Sequence, residues 1–187
     1  MKKLTLLAMA VGALVALAVP AAASANLMWD KAGEIHIEGE LSTQNAGPTL
    51  INGPCPVTFE GSAANIGGVA GGQIESGEGG PCGTNFGFCE IEKVELGALP
   101  WELTTSTPDF VTIHGATFTN YYSAGCAAIS LPAKVSATGT VTGTVHLEDE
   151  EQCITFTNAE GLTLEANNAP LTLNGEVCIT KGGPRLT

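Results

Sequence analysis

Val135-Ser136-Ala137-Thr138-Gly139-Thr140-Val141-Thr142-Gly143-Thr144-Val145-His146-Leu147 is the stretch that decides the fold. Its odd positions are apolar or glycine, and its even positions are Ser, Thr or His throughout. A period of two held this long puts one face in a core and the other in water, which defines a half-buried β-strand. Thr and Val both suit a pleated surface. Gly139 and Gly143 fall on the apolar face, where a missing side chain signals a bend or the close approach of another layer.

The same period runs outward in both directions. Ile35, Ile37 and Leu41 alternate with His36, Glu38 and Glu40, and Val57 and Phe59 with Thr58 and Glu60. Leu171, Leu173, Val177 and Ile179 repeat it around Gly175. Between Phe86 and Leu96 the register breaks. Phe86, Phe88, Val94 and Leu96 share a face with Glu90 and Glu92, while Ile91 points the other way. One extra residue near Glu92, a β-bulge, reconciles these faces. Phe110 to Thr119 is apolar on both faces, as in a strand covered on both sides.

No stretch after Ala25 has a 3.6-residue apolar period. The 24 glycines and 10 prolines supply the breaks. They gather at Asn52-Gly53-Pro54, Gly67-Gly68, Gly79-Gly80-Pro81 and Gly182-Gly183-Pro184. Short strands with turn signals between them predict an all-β chain, an antiparallel β-sandwich or an open barrel.

Met1-Lys2-Lys3, the uncharged apolar run Leu4 to Val19, Pro20 and Ala23-Ser24-Ala25 read as a cleaved signal peptide, 1–25. The run is short for a membrane span, which needs about 20 apolar residues, and no second run of spanning length follows. Residues 26–187 are then expected to form a single secreted β domain. Lys2 and Lys3 leave with the leader, so 19 acidic residues face five of the seven basic ones. That balance opposes nucleic acid, whose phosphates need Lys and Arg, and adhesion to anionic lipid.

All six cysteines follow the leader. An exported chain makes them disulfides; no Cys-x-x-Cys pair and no neighbouring His suggests a metal site. Cys153 lies beside Ile154 and Phe156 but on the opposite face, and Cys178 lies opposite the face of Val177 and Ile179. Two outward cysteines on neighbouring strands predict Cys153–Cys178. Cys55–Cys82 and Cys89–Cys126 complete the set, with Cys82–Cys89 and Cys55–Cys126 as the rival pairing.

Motifs for chemistry are missing. The Gly-rich run from Gly67 to Gly80 lacks the Lys and helix of a phosphate loop and reads as a flexible β connection. Glu148-Asp149-Glu150-Glu151 reads as a solvated hairpin tip, without the alternating ligands of a Ca²⁺ loop. His36, His114 and His146 are scattered. There is no Gly-x-Ser-x-Gly elbow, and 19 acids define no particular carboxylate pair. Neither a cofactor nor a catalytic residue is expected. Leu99-Pro100-Trp101 is the most distinctive tripeptide. It reads as an aromatic core plug at a strand entry, or as part of an apolar ligand groove.

The order of features resembles a known group. Cys55-Pro56-Val57-Thr58-Phe59-Glu60-Gly61 is followed by a Gly-rich stretch closing on Cys82, then Leu99-Pro100-Trp101 and Ile113-His114-Gly115. Gly125-Cys126, Ile154-Thr155-Phe156-Thr157-Asn158-Ala159 and Leu173-Asn174-Gly175 complete it. This resembles small secreted bacterial β proteins that include activators of alkane oxidation and uncharacterised actinobacterial exports. The resemblance implies an extracellular, non-enzymatic helper that binds or disperses hydrophobic compounds. An extracellular structural or adhesive module, pairing through exposed strand edges with cell-surface components, is the alternative.

Overall fold

The computed structural model describes residues 26–45, 50–107, 109–147, 151–180 and 182–187. The expected leader and residues 148–150 of the acidic run lie outside them. Among the described residues ten strands form, every pairing between them antiparallel: β1 (Gly33–Asn45), β2 (Ile51–Ile66), β3 (Val69–Gly79), β4 (Cys82–Gly83), β5 (Glu90–Gly97), β6 (Trp101–Thr107), β7 (Phe110–Tyr122), β8 (Lys134–Leu147), β9 (Gln152–Leu164) and β10 (Pro170–Ile179). A 3₁₀ turn, Ala124–Ile129, sits between β7 and β8.

These strands close into an eight-stranded antiparallel barrel, with the remaining short strands as extras. Each wall strand pairs with its neighbour in the chain, and β1 pairs with β10 to shut the ring, Ile37 opposite Ile179. β5 and β6 share one position in the wall, between β3 and β7. They act as one stave interrupted at Leu99-Pro100. Gly97 faces Thr117 and Glu102 faces His114, so this stave carries two more residues than β7 across the interruption. Val94 opposite Gly79 and Trp101 opposite Ile74 give the same surplus against β3.

Alternation explains which way the wall faces. Ala137, Val141 and Val145 of β8 are buried inside, while Thr138, Thr140, Thr142 and Thr144 line its outer side. His36, Glu38 and Glu40 do the same on β1 against buried Ile35 and Ile37. A membrane-spanning barrel has the inverse pattern, apolar outside and polar within. Among the described residues no helix is long and apolar enough to cross a membrane.

Bulges set where alternation changes phase. One lies between Ile91 and Lys93, as the broken pattern around Glu92 predicts, and it turns both Ile91 and Val94 inward. Phe86 and Phe88 are not on that strand. They occupy a turn before β5, and Phe88 is exposed. The two-faced pattern of β7 has the same origin and does not reflect a second covering layer. The register slips between Ile113 and Ala116 at Gly115, whose φ is 68°. Val111 and Ile113 face inward before the slip, Ala116 after it, and Phe110 is exposed.

Two glycine-rich segments depart from expectation. Gly67-Gly68 forms a turn, but the run that follows is strand β3 and no flexible connection. Asn52-Gly53-Pro54 lies within β2. Gly139 is a point of close approach, but to the neighbouring strand and not to another layer: a Cβ there would run into the carbonyl oxygen of Gly161 on β9. Gly139→Ala is expected to lower stability by about 1–3 kcal/mol, because backbone has to move to make room. Urea denaturation reads this, and an unchanged midpoint would refute the contact.

All three expected disulfides are present: Cys55–Cys82, Cys89–Cys126 and Cys153–Cys178. Cys153 and Cys178 are directly opposite each other on β9 and β10, on the outer side of the wall.

Candidate functional site

The inward side chains enclose a cavity of about 80 Å³. Ile37, Phe59, Ile74, Trp101, Leu103, Ile113, Val141, Ile154, Phe156 and Leu162 are among its walls, contributed by almost every strand. Space this size is more than a packing flaw. About 10–15 Å³ of such space is the least that admits one water, and this cavity is several times that.

Both ends of the barrel are stopped. At one end Trp29 and Leu186, from the two ends of the described chain, form a bridge. The Trp29 indole N–H donates to the Gly71 carbonyl at 2.7 Å. The Gln152 amide both donates to the Leu186 carbonyl at 2.6 Å and accepts from its N–H at 2.7 Å. A smaller cavity of about 10 Å³ lies beneath this plug. At the other end a separate cluster covers the opening. Cys89, Ile91, Cys126 and Tyr122 are buried in it, with Phe86, Ile129 and Leu131 packed around them.

Of the tripeptide singled out in the sequence, Trp101 lines the cavity. It is 4% exposed, with its ring 6.2 Å from that of Phe59. Its indole N–H donates to the Gly97 carbonyl at 2.8 Å, across the interruption of the stave. Leu99 is half-buried against the core and Pro100 is exposed. The two extra residues let the stave loop outward and return with Trp101 pointing in.

Polar groups enter the cavity at one end only. Thr43, Asn52 and Asn120 are buried there and line it. The Asn52 amide N–H₂ donates to Thr43 Oγ1 at 3.1 Å and to the Tyr122 hydroxyl at 2.8 Å. Burial pushes the Tyr122 phenol up from its ordinary range, against the opposing pull of hydrogen bonds from Asn120 and Asn52. Sequence reasoning missed this group because Asn52 stood in an apparent turn and Asn120 lay just past the pattern read from Phe110 to Thr119.

His36 stands beside Glu38 and Glu60 on the outer wall, at 2.8 and 3.7 Å. His114 meets Thr104 at 2.8 Å, and His146 is exposed on β8. Glu151, Cys153 and Cys178 lie close together, but their two sulfurs are joined to each other and offer no thiolate to a metal. An open groove of about 530 Å³ outside the barrel is bordered by Glu34, Glu60 and Glu75.

The family model described as "Alkane oxidation protein activator PraA/PraB-like" matches residues 1–159. The chain belongs to this family. No curated protein and no solved structure matches it. The match to the alkane oxidation activator family ends within β9, so β10, which shuts the ring, and Leu186, which plugs it, lie beyond the matched residues.

Proposed function

We propose that this protein is a secreted, non-catalytic carrier that takes small apolar molecules into its barrel and so serves the use of hydrocarbons. The cavity of about 80 Å³ carries the reading. Its walls are apolar over most of their length, and pockets that bind apolar ligands are built this way. Membership of an alkane-oxidation activator family supports the same ligand class. Three disulfides are consistent with work outside the cell, as is the proposed leader 1–25. Trp101 is the wall residue of the tripeptide, and Leu99 and Pro100 act through it by setting the outward loop.

The matrix or adhesive alternative gains less support. Pairing by strand addition needs a free edge. Among the described strands the ring is closed, and the peripheral β4 spans two residues.

The test is thermal unfolding in buffer saturated with n-octane. A ligand that binds only the folded state raises Tm, by about 2–4 °C per kcal/mol for a chain of this size. Val141→Phe, which puts a ring into the same space, is expected to abolish the rise while staying folded by circular dichroism. An unchanged Tm in the unmodified protein would sink the carrier reading.

A further inference from the structure

Both mouths of the barrel are shut, yet its interior is hollow. At one mouth the plug of Trp29 and Leu186 is tied in by buried hydrogen bonds to Gly71 and Gln152. At the other, the Cys89–Cys126 bridge holds the cover down over buried Ile91. Entry then depends on the wall. A β-wall opens most easily where rungs of its ladder are missing, because no hydrogen bond has to break there.

The wall has such a gap beside β3. This strand pairs with β6 from Gly71 to Ile74 and with β5 at Glu78 and Gly79. Among the described residues, Ser76 and Gly77 between them pair with β2 alone, and Glu75, at a register shift, pairs on neither side. Across the gap, Ala98, Leu99 and Pro100 pair with neither β3 nor β7. About 10 Å of β3 is therefore without a partner on that side. The register also shifts between β8 and β9, but there the backbones stay in contact: a Cβ on Gly161 would run into the Thr140 carbonyl oxygen. Apolar side chains stop the gap beside β3 instead. Phe59, Ile74, Leu96 and Trp101 stand behind it and line the cavity. Gly77 adds no side chain, and a Cβ on it would come within 2.8 Å of Leu96 and 3.0 Å of Phe59. Leu99 is the part of the outward loop that returns to the core, half-buried and outside the cavity lining. The base of the loop is pinned by the Trp101 indole on Gly97. Ala98 holds a φ of 48°, which a non-glycine residue keeps only where its surroundings impose it.

We propose that small apolar molecules enter through this gap in the side of the barrel, between β3 and the β5–β6 stave, with Leu99 as its door. Leu99 swings out without unpairing any strand, and both mouths stay closed. The geometry divides the roles. Leu96 and Trp101 bound the space of the occupant, while Leu99 stands outside it and controls passage. A residue placed so alters the barrier between the free and bound states and neither state itself, so it changes rates and leaves affinity alone.

This inference rests on the barrel interior being a ligand site, and the experiment separates the two. Xenon is the probe, a small apolar atom that enters dry protein cavities. Saturation-transfer magnetic resonance with hyperpolarised xenon reads occupancy and exchange rate together. Leu99→Ala is expected to speed entry and exit alike by about fivefold, the scale of the burial a half-buried leucine gives up on swinging out, with Kd unchanged. Leu99→Met keeps the apolar volume and should return the rate to that of the unmodified protein. Faster exit alone, with weaker binding, would make Leu99 part of the cavity wall and refute the door. A larger acceleration in Leu186→Ala than in Leu99→Ala would place the entrance at the plug. Bound xenon whose rate is unchanged in Leu99→Ala would overturn the side entrance and leave the carrier reading standing. Absence of bound xenon from the unmodified protein would overturn both. Relaxation dispersion on the unmodified protein needs no variant. The Leu99 methyls should exchange on the microsecond-to-millisecond scale and those of Leu186 should not. The reverse pattern would move the entrance to the plug.

Discussion

Replacing Cys89 and Cys126 together by alanine is expected to cost more than about 4 kcal/mol of stability. The loop they close spans 37 residues, for which restriction of the unfolded chain alone gives about that amount. Packing adds to it. Cys89 and Cys126 are 0% and 1% exposed, and the bridge ties the connection before β5 to the 3₁₀ turn after β7. These are the two segments that lie over one mouth of the barrel. The pair Cys153 and Cys178 is the internal control. Its loop of 25 residues is shorter, and its sulfurs lie on the outer wall. Its removal should therefore cost slightly less, about 3.5 kcal/mol by the same relation. Urea unfolding of both double variants decides the matter. Losses that differ by no more than about 0.5 kcal/mol would show that the buried bridge contributes nothing beyond chain restriction.

Trp101→Ala is the second large effect, a loss of about 3–5 kcal/mol for emptying a fully buried aromatic site. Its sign for binding is opposite. The indole forms one wall of the cavity, so its removal enlarges the space that receives a ligand. Benzene, which fills apolar cavities of about 150 Å³ in other proteins, is expected to raise the Tm of this variant more than that of the unmodified chain. Trp101→Phe keeps much of the ring and loses the 2.8 Å bond to Gly97, so its cost should be far smaller. A similar cost for Phe and Ala would place the importance in the hydrogen bond and remove the argument from cavity wall to ligand.

The outer-wall disulfide was legible because parity is local. Ile154 and Val177 declare which face is buried, and Cys153 and Cys178 follow as their neighbours. The bulge at Glu92 was legible for the same reason, since charged and apolar residues cannot share one buried face. Ring closure was not local. A sandwich and a barrel use the same alternating strands, and the choice depends on β1 meeting β10. The slip at Gly115 was hidden because a single glycine there fits a strand as well as a bulge. Asn52 was hidden by its neighbours: Gly53 and Pro54 have turn chemistry, and only the pairing of β2 with β1 carries Asn52 into the interior. Of the tripeptide, Trp101 lines the cavity, and Leu99 and Pro100 stand at its margin.

The meeting of the two ends of the described residues has a consequence for how the barrel is made. Met28 and Thr187, 159 positions apart, are hydrogen-bonded neighbours. A chain emerging with its N-terminus first holds β1 with one side open until β10 appears. Pairings over such distances form slowly, and no fragment lacking the last strand encloses a cavity. Pairings between strands adjacent in the chain need no such wait, but the ring shuts only when β10 meets β1.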